Sequence, residues 1–141
     1  MSILPLIQLL IDFGLVVLIW MVQLIIYPSF LRYESHSLEK WHLTYTGRIT
    51  VIVAPLMMAQ IALAGFLVIT RTSYNSLEIL ALGLIILNWL LTFFVFIPLH
   101  QKIDVQPADR NVQRRLVQSN WIRVVLFCLT FVCHVFYYLA F

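Results

Sequence analysis

Four long apolar runs occupy most of this chain: Ile3–Tyr27, Ile49–Thr70, Leu77–Leu99 and Trp121–Phe141. A helix crossing a hydrocarbon layer about 30 Å thick needs about 20 mostly apolar residues, each rising roughly 1.5 Å. All four runs reach that length. Hydrocarbon supplies no hydrogen-bond partners, so backbone N–H and C=O groups must pair within each run, which makes each a helix. The expected fold is all-α: an integral membrane four-helix bundle. Connections this short leave no room for a domain outside the membrane, so residues 1–141 form one domain. Composition agrees, since 11% of the residues are charged against about 25% in soluble domains.

Lys and Arg gather on alternate connections. Arg32, Lys40 and Arg48 lie between runs 1 and 2, and Lys102, Arg110, Arg114 and Arg115 lie between runs 3 and 4. The 2–3 turn carries only Arg71. The positive-inside rule therefore makes both long connections cytoplasmic and both termini external, N-out and C-out. Asp104, Asp109, Glu34 and Glu39 interleave with the basic residues, a pattern that argues against a nucleic-acid partner and for lipid headgroups. The first run lacks a basic leader and a small-residue cleavage site, and it is too long for a signal peptide, so it reads as a mature span. Cys128 and Cys133 lie on faces about 140° apart and read as packing residues.

Local signals extend two of the helices. Tyr27-Pro28 is expected to close span 1, because proline interrupts the hydrogen-bond ladder. Ser35 and Ser37 offer N-caps for a helix that begins near Leu38 and continues into span 2, with a kink at Pro55. Span 3 is expected to end around Pro98-Leu99-His100. Pro107-Ala108-Asp109 reads as the start of another helix, on which Val112, Leu116, Val117 and Trp121 recur at near-helical spacing. Spans 2 and 4 thus have cytoplasmic helical extensions. Trp41, Trp121 and Tyr27 sit where interfacial aromatics belong.

Ionisable and amide groups inside a span are costly and usually face the bundle interior. Asp12 in span 1 and His134 in span 4 fall at similar depths from the cytoplasmic ends, and are expected to pair if those spans are neighbours. Gln60 and Asn88, near the middles of spans 2 and 3, are expected to bond to each other or to Asp12. This intramembrane polar cluster reads first as interhelical glue and second as an ion or proton site.

A second constellation gathers at the cytoplasmic end. His42, Tyr45 and Arg48 follow one another at i,i+3 spacing and are expected to form a ladder. His100 ends span 3, Asn120 and Arg123 open span 4, and Gln23 lies in the inner part of span 1. Imidazoles serve as general acids or bases near neutral pH. Arg123 can hold an anionic oxygen through charge-assisted hydrogen bonds. His42, His100, Asn120 and Arg123 are the candidate catalytic residues. Arg48, Tyr45, Trp121 and Gln23 are the candidate ligand-binding residues. Two histidines also leave haem or a metal open as a cofactor, although no HxxxH, no HExxH and no carboxylate fixed beside them is evident.

At these same positions "YPSF" (Tyr27–Phe30), "WHLTYTGRITVIVAPLM" (Trp41–Met57), "IPLHQKI" (Ile97–Ile103) and "RRLVQSNWIR" (Arg114–Arg123) resemble a family of small, uncharacterised bacterial four-span membrane proteins. More distantly, the four-span layout is similar to anthrone oxygenase-like membrane proteins, which oxidise polycyclic aromatic substrates. The first resemblance implies a bacterial inner membrane and singles out His42, Arg48, His100, Asn120, Trp121 and Arg123. Tyr45 stands where that family tends to have a second histidine, and Val124 where it has threonine.

Three functions remain open. The first is a membrane-embedded pocket for a lipid-soluble small molecule, serving an oxidoreductase or oxygenase acting on an aromatic or quinone-like compound. The second is an accessory or assembly subunit of a larger membrane complex. The third is a transporter, which would need homo-oligomers, because no paired broken-helix pattern is evident.

Overall fold

The computed structural model describes residues 3–140; Phe141, the expected end of the fourth run, lies outside them. Four helices follow one another up and down: α1 (Ile3–Phe30), α2 (Ser35–Thr70), α3 (Ser76–Val105) and α4 (Arg110–Ala140). Each packs against its neighbour in sequence, and α4 closes the ring against α1. The α1–α4 and α3–α4 seams are the most extensive, while both seams of α2 are slighter.

The pattern of burial is that of a membrane protein. Leu10, Phe13, Leu24, Val51, Phe94 and Leu139 are exposed on the outer surface. Gln8, Asp12, Gln60, Asn88, Arg123 and His134 are buried within. Lipid costs apolar side chains nothing, whereas polar groups must find partners between helices. The chain is accordingly a multi-pass integral membrane protein.

Two helices run past their expected ends. α1 does not stop at Tyr27-Pro28, and α3 does not stop at Pro98; they continue to Phe30 and Val105. In each, a five-residue π-turn immediately precedes the X-Pro pair: Val22–Ile26 before Tyr27-Pro28, and Thr92–Phe96 before Ile97-Pro98. Proline lacks an N–H and its ring crowds the carbonyl four residues back. A π-turn widens the ladder by one residue and absorbs that conflict. α2 passes through Pro55 as one assigned helix.

The expected caps are also adjusted. α2 begins at Ser35 with Glu34 in the N-cap position, so neither Ser35 nor Ser37 caps it. α4 begins at Arg110, where Asp109 Oδ1 accepts the Asn111 N–H at 3.1 Å. Asn75 caps α3 by accepting the Leu77 N–H at 2.8 Å.

At the basic end the helices project into a small apolar plug. Phe30, Leu38, Ile103 and Leu116, one from each helix, are fully buried. Arg110 fastens this end, donating to the Phe30 carbonyl at 3.1 Å and the Tyr33 carbonyl at 2.5 Å. Its positive charge sits against the C-terminal carbonyls of α1, the favourable sign for a helix dipole. Phe30 also packs edge-on against the His42 and Tyr45 rings, with centroids at 5.3 and 5.4 Å. Phe30→Ala should therefore destabilise the protein by about 3–5 kcal/mol, read from unfolding in mixed micelles, and should loosen His42 as well.

Candidate functional site

A cavity of about 420 Å³ lies between the helices just inside the basic plug. Its walls are apolar: Leu15, Ile19 and Val22 from α1, Ile49, Val53 and Met57 from α2, Phe96 from α3 and Phe127 from α4. Polar groups enter at defined points, chiefly Tyr27, Tyr45, His100, Asp104 and Arg123. Lining residues Phe93 and Ile97 on α3 are exposed, as is Thr50 on α2. The cavity thus opens sideways, through the α2–α3 seam, toward lipid.

One wall carries an unbroken hydrogen-bond chain. Asp104 Oδ1 lies 2.6 Å from His42 Nδ1. His42 Nε2 lies 2.8 Å from His100 Nδ1. His100 Nε2 lies 3.0 Å from the Tyr27 hydroxyl. The proton positions follow from the first link. An ionised carboxylate only accepts, so His42 carries its proton on Nδ1, and in a neutral ring Nε2 must then accept. His100 therefore donates from Nδ1 and accepts at Nε2 from Tyr27 O–H. Every member is oriented toward Asp104, whose side chain is 30% exposed, while His42 is fully buried.

The elements that position this chain are plain. His100 and Asp104 stand one turn apart on α3, past Pro98, so the continued helix is what puts the carboxylate beside the imidazoles. His42 comes from the basic-end extension of α2, and its ring stacks on His100 with centroids 5.0 Å apart. Asp104 corrects the expectation that no carboxylate is fixed beside the histidines. The 2.8 Å separation of the facing nitrogens is a hydrogen-bond distance. Two imidazoles sharing one ion through bonds of about 2.0–2.1 Å in a tetrahedral set lie about 3.3 Å apart. These two rings as placed bind each other rather than an iron or zinc between them, and among the described residues no cluster of three metal-ligating side chains occurs.

Arg123 enters from α4, within electrostatic reach of the Tyr27 and Tyr45 phenols. It is 7% exposed. Its Nε donates to Asn88 Oδ1 at 3.2 Å, and Nη2 lies 3.9 Å from the Met57 sulfur. The guanidinium stands over the rings of Phe96 and Phe127, at 4.8 and 5.7 Å. Among the described residues no carboxylate forms a salt bridge with it. Nearby, the Trp89 indole N–H is buried without a partner, and Trp89 also lines the cavity.

Several expected members lie elsewhere. Arg48 is exposed: six residues from His42 it has turned about 120° away, so the ladder stops at Tyr45, whose ring is 6.4 Å from that of His42. Trp121 is exposed and packs edge-on against Trp20 at 5.7 Å, away from the cavity. Asn120 and Gln23 are buried in the α1–α4 seam. Asn120 Nδ2 donates to Gln23 Oε1 at 2.9 Å, and Gln23 Nε2 to the Val117 carbonyl at 3.1 Å. They tie helices together and do not line the cavity.

A second polar cluster lies one turn beyond the cavity's deep end. Asp12 Oδ1 accepts from Gln60 Nε2 at 2.8 Å and from Gln8 Nε2 at 3.2 Å. Asp12 Oδ2 accepts from His134 Nδ1 at 2.5 Å. Asn88 does not join this cluster; it serves Arg123 instead. Gln8, an i−4 neighbour of Asp12, is a member that the sequence reading passed over.

No protein-family model, curated protein or solved structure matches the chain.

Proposed function

We propose that this membrane protein binds a lipid-soluble aromatic compound with an ionisable ring hydroxyl, of the quinol or polycyclic phenol class, and exchanges that proton with water at the basic end. The observation that carries the reading is the three-bond chain from a cavity-lining phenol to a partly exposed carboxylate. A ligand hydroxyl set against Tyr27 passes its proton to the Tyr27 oxygen as Tyr27 O–H passes its own to His100 Nε2. His100 Nδ1–H then goes to His42 Nε2, and His42 Nδ1–H goes to Asp104. One proton leaves the ligand, one arrives on Asp104, and no imidazolium forms. The oxyanion left behind faces Arg123, whose charge lacks a carboxylate. With the basic loops in the cytoplasm, the proton leaves on that side. A deprotonated ring is the form that surrenders electrons to an oxidant, which is how such a site would serve an oxidoreductase.

Native extraction followed by mass spectrometry should find an aromatic compound that is lost in His100→Ala. Calorimetric titration with a short-chain benzoquinol, in two buffers of different ionisation enthalpy, should show proton release on binding. Asp104→Asn should keep the affinity within about threefold, a difference of about 0.65 kcal/mol, and abolish the release. An empty wild-type cavity together with subunit partners unaffected by His100→Ala would replace this reading with the accessory role.

A further inference from the structure

The Asp12 cluster is separate from the chain just described and stands at the other end of the bundle. Its carboxylate is 1% exposed and accepts from three N–H donors on three helices, α1, α2 and α4. A lone negative charge in hydrocarbon is costly. A second proton on His134 cancels it, leaving an ion pair with no net charge. The pair is thus a place where one proton is held deep in the bundle. Gln8 Oε1, itself on a side chain 1% exposed, is a buried acceptor with no partner, and it marks room in the hydrogen bonding for one further donor.

A line of ionisable groups runs from this pair to the end remote from the basic loops. Glu78, in the first turn of α3, is 4% exposed and pairs with Arg71 at 3.0 Å. The Arg71 guanidinium also stands 4.6 Å over the Tyr137 ring. Tyr137 follows His134 by one turn of α4, and Glu78 lies within electrostatic reach of His134. Cys133 is buried beside His134 in sequence. From α2 the Gln60 amide meets the cluster. Arg71 is a third exposed, so the line ends in water.

We propose that Asp12 and His134 share a proton exchangeable with the aqueous phase at this remote end, by way of the Glu78 carboxyl. The basic-end chain and this pair then serve opposite faces. The inference does not depend on any ligand in the cavity.

The test is deuterium exchange of the His134 ring N–H, followed by NMR on histidine-labelled protein in lipid nanodiscs. Glu78→Gln should slow that exchange at least tenfold, while His42→Gln leaves it unchanged. The idea is overturned if His42→Gln slows it as much, if Glu78→Gln has no effect, or if the wild-type proton fails to exchange over days. Should Glu78→Gln not fold, wild-type protein oriented in vesicles with its basic loops inside provides a second measurement. His134 protonation should track the external pH, and tracking the internal pH overturns the proposal.

Discussion

Arg123→Met should weaken quinol binding about 100-fold, or ~2.7 kcal/mol, within the range for losing one partner of a buried charged hydrogen bond. The same substitution should leave the empty protein as stable as before, or more so. The two signs differ because of what surrounds the guanidinium. It has one amide oxygen, a thioether, two ring faces and the nearby Tyr27 and Tyr45 phenols for company, and no carboxylate salt bridge among the described residues. A buried cation held this way costs the fold energy that an apolar side chain of similar length does not. On the proposed function, the oxygen of a ligand accounts for its presence. Equal loss of binding and of folding stability would assign Arg123 to the scaffold instead. Titration calorimetry and unfolding in mixed micelles give the two numbers separately.

The second large effect concerns the remote pair. Asp12→Ala should destabilise the bundle by about 3–5 kcal/mol, since it leaves His134 and two amides buried without their acceptor. Asp12→Asn keeps an acceptor oxygen for the glutamines and lets the new amide donate to a retautomerised His134. Its cost should be about 1 kcal/mol. Pairing Asp12→Leu with His134→Leu should recover part of the loss, because it removes the stranded imidazole while the Gln8 and Gln60 amides still lack their acceptor. A double substitution no better than Asp12→Ala alone would mean that the pair contributes more than mutual satisfaction.

The parts legible in the sequence were those set by length, hydropathy and depth. Four apolar runs defined four helices, and counting inward from the basic ends brought Asp12 and His134 to one level, where they lie 2.5 Å apart. What escaped depends on helix phase. Along α1 the buried positions are Gln8, Asp12, Leu15, Ile19 and Val22, a regular alternation of four and three, and then, shifted by one residue, Gln23, Tyr27 and Phe30. The continued pattern would place residues 26 and 29 inside. The π-turn at Val22–Ile26 inserts one residue and turns Tyr27 inward. Tyr27 therefore read as an interfacial aromatic rather than as the cavity end of the chain. Asp104 was visible as an i+4 neighbour of His100, but only to a reading that carried the helix past Pro98. The i,i+3 spacing from Tyr45 points Arg48 to the site, and the family resemblance points both Arg48 and Trp121 there, but their direction around the helix takes them out of it. The cavity itself lies among all four helices, beside the slighter seams of α2, and no local pattern encodes it.

The slighter seams of α2 have a consequence for timing. α2 carries His42, and the lateral mouth of the cavity lies along the same helix. On the proposed function, an outward swing of α2 that lets a molecule in from the bilayer would also pull His42 off His100 and cut the proton wire. On that proposal admission and ionisation are alternating events, and a half-entered guest has no conducting path beside it.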